Sequence, residues 1–132
     1  MLGTSLARMP ALEAVELDLL FLDDDSAQLL FAQELRLKRV VLSDNKIGPR
    51  GVAAVVAALM HSESALRVLD LDNNRIGEEG ACAIAQRLCD VPTLAKLRLR
   101  NNEIGSEGCR ELGKALEAGA SLSKLDLSLN NI

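Results

Sequence analysis

The chain has 132 residues, a formal net charge of −4, and 48% hydrophobic and 26% charged residues. This length allows a single domain, and the ordinary balance of apolar and charged residues excludes bulk disorder. The net negative charge argues against general nucleic-acid binding, which requires clustered lysine and arginine to displace counterions.

Signals for secretion or membrane insertion are missing from the sequence. No stretch approaches the roughly 18 uncharged apolar residues that a membrane-spanning helix requires. The first ten residues include Arg8 and Pro10 and contain no apolar run long enough for a signal peptide. The three cysteines have no repeated spacing, so they do not form a disulfide framework. We therefore predict a cytoplasmic protein that binds neither membranes nor nucleic acid.

The first 36 residues are predicted to hold two incomplete units. Residues 6–12 repeat the pattern of residues 88–94, so residues 1–11 are expected to end a preceding unit. Residues 12–36 form a degenerate repeat, in which Leu20 and Asp23 occupy the positions of an expected asparagine and glycine. Asp24, Asp25 and Ser26 fit the first turn of a helix, where they can cap free N–H groups. The alternative, a divalent-metal site, lacks the glycine loop and distal glutamate of a calcium loop.

Four copies of one pattern follow in register. They start at Leu37, Leu66, Leu94 and Leu122, at intervals of 28–29 residues. Each copy has alternating leucine or valine residues, then an asparagine and an isoleucine, and the first three continue with two glycines three residues apart. We assign full repeats to residues 37–65, 66–93 and 94–121, and a partial repeat to residues 122–132. The whole of 1–132 is then one domain.

Each repeat predicts one strand followed by one helix. The leucines that begin a repeat alternate with polar residues, which is the period of a strand. After the second glycine, the apolar residues recur in steps of four, as on one face of a helix. Parallel strands lie about 4.8 Å apart, whereas helices need about 8–10 Å. This mismatch bends the stack, with strands on the concave side and helices on the convex side.

The repeat resembles the leucine-rich repeat of the ribonuclease-inhibitor-like subtype over residues 37–132. This resemblance implies an α/β solenoid, a segment of a horseshoe. Proteins of this subtype include ribonuclease inhibitors, activators of the Ran GTPase, tropomodulin-type actin regulators and the sensor ends of NOD-like receptors. Nearly all act by binding another protein, so the resemblance implies a non-enzymatic protein–protein interaction scaffold. The alternatives are a GTPase-activating regulator of the Ran-activator type and the sensor region of a NOD-like receptor.

The remaining polar motifs favour structural roles over chemistry. The recurring corner asparagines are Asn45, Asn74, Asn102 and Asn130. An amide there can satisfy backbone groups that the turn leaves unpaired, and the resemblance supports a buried asparagine ladder. The cysteines are too widely spaced for a zinc site. No phosphate-binding loop or nucleophile motif is present. We therefore predict no enzyme activity, no catalytic residue, no metal and no cofactor.

The candidate binding surface is the set of strand side chains that point away from the core. Its charged members, predicted to bind a protein, are Arg39, Asp70, Asp72, Lys96, Arg98, Arg100, Lys124 and Asp126. In-register parallel strands place Arg98 between Asp70 and Asp126, which we expect to hold it. The alternative is a self-neutralising charge ladder that keeps the open face soluble. Without tryptophan or tyrosine anchors, the interface is expected to be polar and salt-sensitive.

The C-terminal partial repeat predicts an open edge. The pattern stops at Ile132, directly after the asparagine motif, and Leu125, Leu127 and Leu129 have no following unit. Solenoids need polar capping units because an open end exposes the core. We therefore expect the chain to be a fragment of a longer protein, and to self-associate through this strand edge.

Overall fold

The computed structural model describes Met9 and residues 11–132. Five short strands form one parallel sheet in chain order: β1 (Ala14–Glu16), β2 (Arg39–Val41), β3 (Val68–Asp70), β4 (Lys96–Arg98) and β5 (Lys124–Asp126). Four helices alternate with them: α1 (Asp24–Leu30), α2 (Pro49–Leu59), α3 (Gly77–Arg87) and α4 (Gly105–Glu117). This alternation confirms the predicted α/β solenoid. The segment assigned to a preceding unit falls outside the described residues, except for Met9 and Ala11.

The core lies between the sheet and the helices. Val40, Leu69 and Leu97 are fully buried and sit side by side in the register of β2, β3 and β4. On the helix side they meet the apolar face of each repeat's helix, to which Ile84 and Leu112 contribute fully buried side chains. Because each repeat places the same residues at the same height, the core continues from one repeat to the next. Among the helices that the structure describes, none is long and apolar enough to cross a membrane.

The predicted asparagine ladder is confirmed. The side-chain amide of Asn74 donates to the carbonyls of Leu42 and Leu71 at 2.9 and 3.0 Å. Its oxygen accepts the N–H of Ile47, in the preceding repeat, at 3.0 Å. Asn102 and Asn130 likewise bond their own repeat and the one before it. Each asparagine therefore joins two consecutive corners by bonding their buried backbone groups.

The degenerate repeat uses the next repeat's asparagine. Leu20 takes the place of an asparagine, but the side-chain oxygen of Asn45 accepts the N–H groups of Leu20 and Leu22 at 3.1 and 3.0 Å. The Asn45 amide also donates to the Leu17 carbonyl at 2.9 Å. The corner after β1 is thus held only by the asparagine of the following repeat. These bonds explain how the unit keeps the fold without an asparagine of its own.

The acidic run Asp23–Asp25 caps two helices. Asp23 is the N-cap of α1 and accepts the Ser26 N–H at 2.9 Å. Asp24 reaches the neighbouring helix, where one carboxylate oxygen accepts the N–H groups of Gly48 and Gly51 at 2.6 and 2.8 Å. The placement of Asp24, Asp25 and Ser26 in the first turn of α1 is confirmed, but the residue that caps α1 is Asp23, and Asp24 caps α2 instead. In the described part of the chain, no three His, Cys, Asp or Glu side chains are grouped so that they could hold a metal ion.

Two glycine positions explain how the helices start and pack. Gly77 and Gly105 have φ +68°, a backbone conformation that favours glycine. Gly80 lies at a close approach, because an added Cβ would be 2.5 Å from Ile76 Cγ2 and 2.9 Å from Val52 Cγ1. Gly77 and Gly105 allow the tight turn into the helix. Gly80 lets α3 approach α2.

The last strand has one neighbour. β5 pairs with β4, and Leu125 and Leu127 are only partly buried. Leu129, expected to be an orphaned core residue, is instead a corner residue with φ +57° and 66% exposure. It occupies the repeat position of Asn73 and Asn101, which also have positive φ. This part of the prediction was wrong, because the side chain turns away from the core.

Candidate protein-binding site

The outward side chains of the strands form one open surface, here called the strand face. Its three rows run across the sheet: Ala14, Arg39, Val68, Lys96 and Lys124; Glu16, Val41, Asp70, Arg98 and Asp126; then Asp18, Ser43, Asp72, Arg100 and Ser128. The predicted inside/outside alternation is confirmed, since the intervening core residues are buried. All eight charged residues predicted from sequence occupy this face.

Arg98 lies near the centre of the strand face and is held mainly by Asp72. Its Nη2 is 2.8 Å from Asp72 Oδ2, and its Nε donates to the same oxygen at 3.0 Å. Asp70 is farther, at 3.8 Å. The nearby carboxylate of Asp72 raises the pKa of Arg98. Asp72 lies one row beyond Arg98's own row, within reach of the long arginine side chain.

The expectation that Asp70 and Asp126 hold Arg98 is therefore only half right. Asp126 is the register neighbour of Arg98, but its carboxylate accepts the N–H and hydroxyl of Ser128 at 3.0 and 2.6 Å. These bonds lower the pKa of Asp126. No ion pair joins it to Arg98 within the described contacts. Asp126 therefore bonds Ser128 in its own turn and does not form the ion pair with Arg98 that the strand register alone suggested.

Two residues of the strand face are nearly covered. Asp72 is 5% exposed, and its second oxygen accepts the backbone N–H of Arg100 at 2.9 Å, so both oxygens are engaged. Val41 is 9% exposed because it is flanked in the sheet by Glu16 and Asp70. Partial burial also raises the pKa of the Asp70 carboxyl. Asp72 thus acts as a support beneath Arg98 rather than as an exposed group.

The cations of the strand face fall into two classes. Arg39 forms an ion pair with Glu16, and Arg98 is bound by Asp72. Lys96, Lys124 and Arg100 are exposed, and within the described part of the chain their side chains form no ion pair. The charge ladder is therefore incomplete. It neutralises some positions and leaves three cations available to a partner.

Two shallow depressions lie on the strand face. The first, of about 200 Å³, is lined by Arg39, Val41, Val68, Asp70, Lys96, Arg98 and Lys124. The second, of about 330 Å³, is lined by Ser43, Asp44, Asp70, Asp72, Asn73, Arg98, Arg100 and Leu129. Both depressions are lined by Arg98 and Asp70, so these two residues lie between them. Both are open surfaces suited to the side chains of a protein partner.

The three cysteines and the single histidine are dispersed over the fold. Cys82 and Cys109 are half-buried in α3 and α4, and burial raises the pKa of Cys82. Cys89 is exposed beyond α3. The His61 ring is buried, with Nε2 3.0 Å from the Leu35 carbonyl, so it links two repeats. His61 therefore has a linking role, and Cys82 and Cys109 pack within their helices.

One surface feature was not anticipated from sequence. Leu19 and Phe21, at the corner after β1, are 68% and 75% exposed and have φ of +59° and +55°. The ammonium of Lys46 lies 5.3 Å from the centre of the Phe21 ring. The missing asparagine at Leu20 was the signal that this corner departs from the repeat, but periodicity could not show which way the side chains would turn.

Comparisons with known proteins agree with this geometry. The sequence matches the family described as "Leucine Rich repeat" over residues 37–56, 64–85 and 92–113. No curated protein matches the chain. A structure of leiomodin-1 actin-binding site 2 is similar, with TM-score 0.78, 21% identity and coverage of 97% of this chain and 77% of that one. The tropomodulin C-terminal domain of Caenorhabditis elegans gives TM-score 0.74, 15% identity and coverage of 96% and 83%. At these identities the likeness concerns the fold.

Proposed function

We propose that this leucine-rich-repeat protein is a non-enzymatic scaffold that binds another protein through its strand face. The observation that carries the proposal is the incomplete charge ladder. Lys96, Arg100 and Lys124 lack ion-pair partners within the described residues, while Arg98 beside them is fixed by Asp72. Strands hold these groups with little further loss of entropy on binding. Their charges would also speed encounter with a complementary partner.

Actin is the first partner to test, because leiomodin-1 actin-binding site 2 has the same fold over 97% of this chain. Within the family we place the chain in the ribonuclease-inhibitor-like subtype, on its 28–29-residue repeat with one helix per unit. A cytoplasmic location stays a prediction. No observation on the described residues favours a Ran-type GTPase activator or a NOD-like receptor sensor over a plain scaffold.

Reversing one exposed cation tests the strand face. Arg100→Glu is expected to weaken binding to actin about tenfold, since removing a rim charge and adding the opposite one changes association without disturbing the core. Arg98 is left intact, because a carboxylate there would face the buried Asp72. Affinity is measured by fluorescence titration at low and high salt, and the wild type should bind more weakly at high salt.

The matched control is Arg110→Glu on α4, which makes the same charge change on the helix side. It should leave affinity within about twofold of the wild type. Binding that ignores both Arg100→Glu and salt would place the interface outside the strand face. Absence of any binding by the wild type would reject actin as the partner.

Self-association through β5 stays a prediction for a polypeptide that ends at Ile132. Such a polypeptide leaves β5 with unpaired backbone groups beside partly buried Leu125 and Leu127, and such an edge invites pairing. Sedimentation should show a mass that rises with concentration. Adding one consensus helix unit after Ile132 should raise the melting temperature and suppress the association. A monomeric parent that gains no stability from the added unit would contradict this prediction.

A further inference from the structure

We propose that the first depression of the strand face binds an acidic segment of the partner protein, with glutamate or aspartate at Lys96 and Lys124 and an apolar side chain between them. This inference rests on the proposed function and specifies the chemistry of the partner. It concerns one end of the strand face, the row formed by Arg39, Val68, Lys96 and Lys124.

The two lysines are neighbours of like charge, and neither forms an ion pair among the described residues. Lys96 and Lys124 are direct register partners on adjacent parallel strands, whose spacing is about 4.8 Å. Like charges in directly opposed positions destabilise a sheet, and no carboxylate within the described contacts pairs with either ammonium. A carboxylate has two oxygens that accept hydrogen bonds, so one such group can bridge both lysines. Bound carboxylates would relieve the repulsion that the free protein retains.

The depression combines two apolar side chains with arginines that are already positioned, and its one carboxylate, Asp70, lies 3.8 Å from Arg98. Val41 and Val68 line it between the cations. Arg98 borders it but is held by Asp72, so its guanidinium is positioned before a ligand arrives. Arg39 borders the other side and is paired with Glu16. A volume of about 200 Å³ suits one or two side chains of an extended segment, which is why the ligand should carry an apolar residue beside its carboxylates.

The same face disfavours a nucleic-acid ligand. The second row places Glu16, Asp70 and Asp126 next to the lysine row, where they would repel a continuous line of phosphates. The chain has no tryptophan or tyrosine, and single-stranded nucleic acids rely on aromatic rings on which bases stack. A short acidic segment can place its carboxylates on the lysine row alone.

The test is a fluorescence-anisotropy titration of the whole chain with defined probes. The main probe is a fluorescein-labelled peptide that alternates glutamate with leucine, and the comparison probes are the glutamine–leucine peptide and a labelled oligothymidine. The wild type should bind the glutamate–leucine peptide at least about tenfold more tightly than the glutamine–leucine peptide, with strong salt dependence. Oligothymidine should bind more weakly than the acidic peptide.

The variant is the double substitution Lys96→Gln and Lys124→Gln, and the matched control is Arg110→Gln with Lys114→Gln on α4, which removes the same charge from the helix side. The strand variant should lose at least about tenfold in peptide affinity, and its melting temperature should be no lower than that of the wild type, because the like-charge pair is gone. The control should keep wild-type affinity.

Equal binding of the two peptides, tighter binding of oligothymidine, or equal losses in the strand variant and the control would each overturn the inference. A loss of affinity accompanied by a lower melting temperature would also overturn it, because the lysines would then be structural. These failures are distinguishable from failure of the proposed function. Binding of a protein partner that is sensitive to Arg100→Glu would survive all of them.

Discussion

Replacing Leu97 by alanine should lower the free energy of unfolding by about 2–5 kcal/mol. Leu97 is fully buried between β4 and the helices. Its register neighbour Leu69 is also fully buried, so the surrounding side chains have little freedom to collapse into the space left behind. The measurement is the midpoint and slope of denaturant unfolding, followed by the loss of helical circular dichroism.

The matched control is the adjacent strand residue Lys96. Lys96→Ala should change stability by less than about 0.5 kcal/mol, because that side chain is exposed and forms no ion pair within the described contacts. Arg98→Ala should fall between the two, since it removes the partner of the buried Asp72 carboxylate. Equal midpoints for Leu97→Ala and Lys96→Ala would show that the assignment of inner and outer strand positions is wrong.

The second large effect is expected at the asparagine ladder. Asn74→Leu keeps the number of side-chain heavy atoms and the branch point but removes every hydrogen bond of the Asn74 side chain. The Ile47 N–H would lose its partner. The Leu42 and Leu71 carbonyls would each lose one of two amide donors and keep the bonds from Asn45 and Asn102. A buried group left unsatisfied costs about 1–3 kcal/mol, so the variant should lose at least about 1 kcal/mol of stability.

Asn131→Leu provides the comparison. Asn131 follows the last ladder asparagine and is exposed, so the same substitution there should change the unfolding free energy by less than about 0.5 kcal/mol. Hydrogen exchange monitored by mass spectrometry should show faster exchange at the corners after β2 and β3 in Asn74→Leu. An unfolding midpoint equal to that of Asn131→Leu would mean that the ladder does not stabilise the corners.

The parts of the fold that could be predicted from the sequence are those fixed by periodicity. A two-residue period placed Leu69 and Leu97 inside and Asp70 and Arg98 outside, and the constant repeat length then set the register of neighbouring strands. The recurring asparagine predicted the ladder, because one residue at one repeat position meets the same backbone groups every time. To predict these features, one needs only the spacing of residues within a repeat and the fact that the same repeat recurs along the stack.

The parts that could not be predicted depend on the conformations that the side chains adopt, above all those of the long ones. Register alone paired Arg98 with Asp126, but Asp126 instead bonds Ser128 two residues along its own chain. Arg98 reached diagonally to Asp72, which a row-by-row comparison does not consider. Leu129 was grouped with Leu125 and Leu127 as an apolar residue left without a following unit, but its left-handed backbone turns it outward.

For the candidate site, the sequence predicted which residues form the strand face but not which of their charged groups are available to a partner. All eight residues predicted to bind a protein lie on the strand face or beneath it. Which of them are available to a partner became visible only from contacts: Asp72 is covered and fully bonded, while Lys96 and Lys124 face each other without a counter-charge among the described residues. Pairing is decided by side-chain geometry, which repeat spacing does not encode.

The most direct test of binding through the strand face is a map of amide chemical-shift changes in the chain as the glutamate–leucine peptide is added. The largest changes should cluster at Arg39, Val68, Lys96 and Lys124, decline toward the row of Arg100, and disappear at high salt. Changes centred on α2, α3 and α4, or spread evenly over the chain, would contradict binding through the strand face.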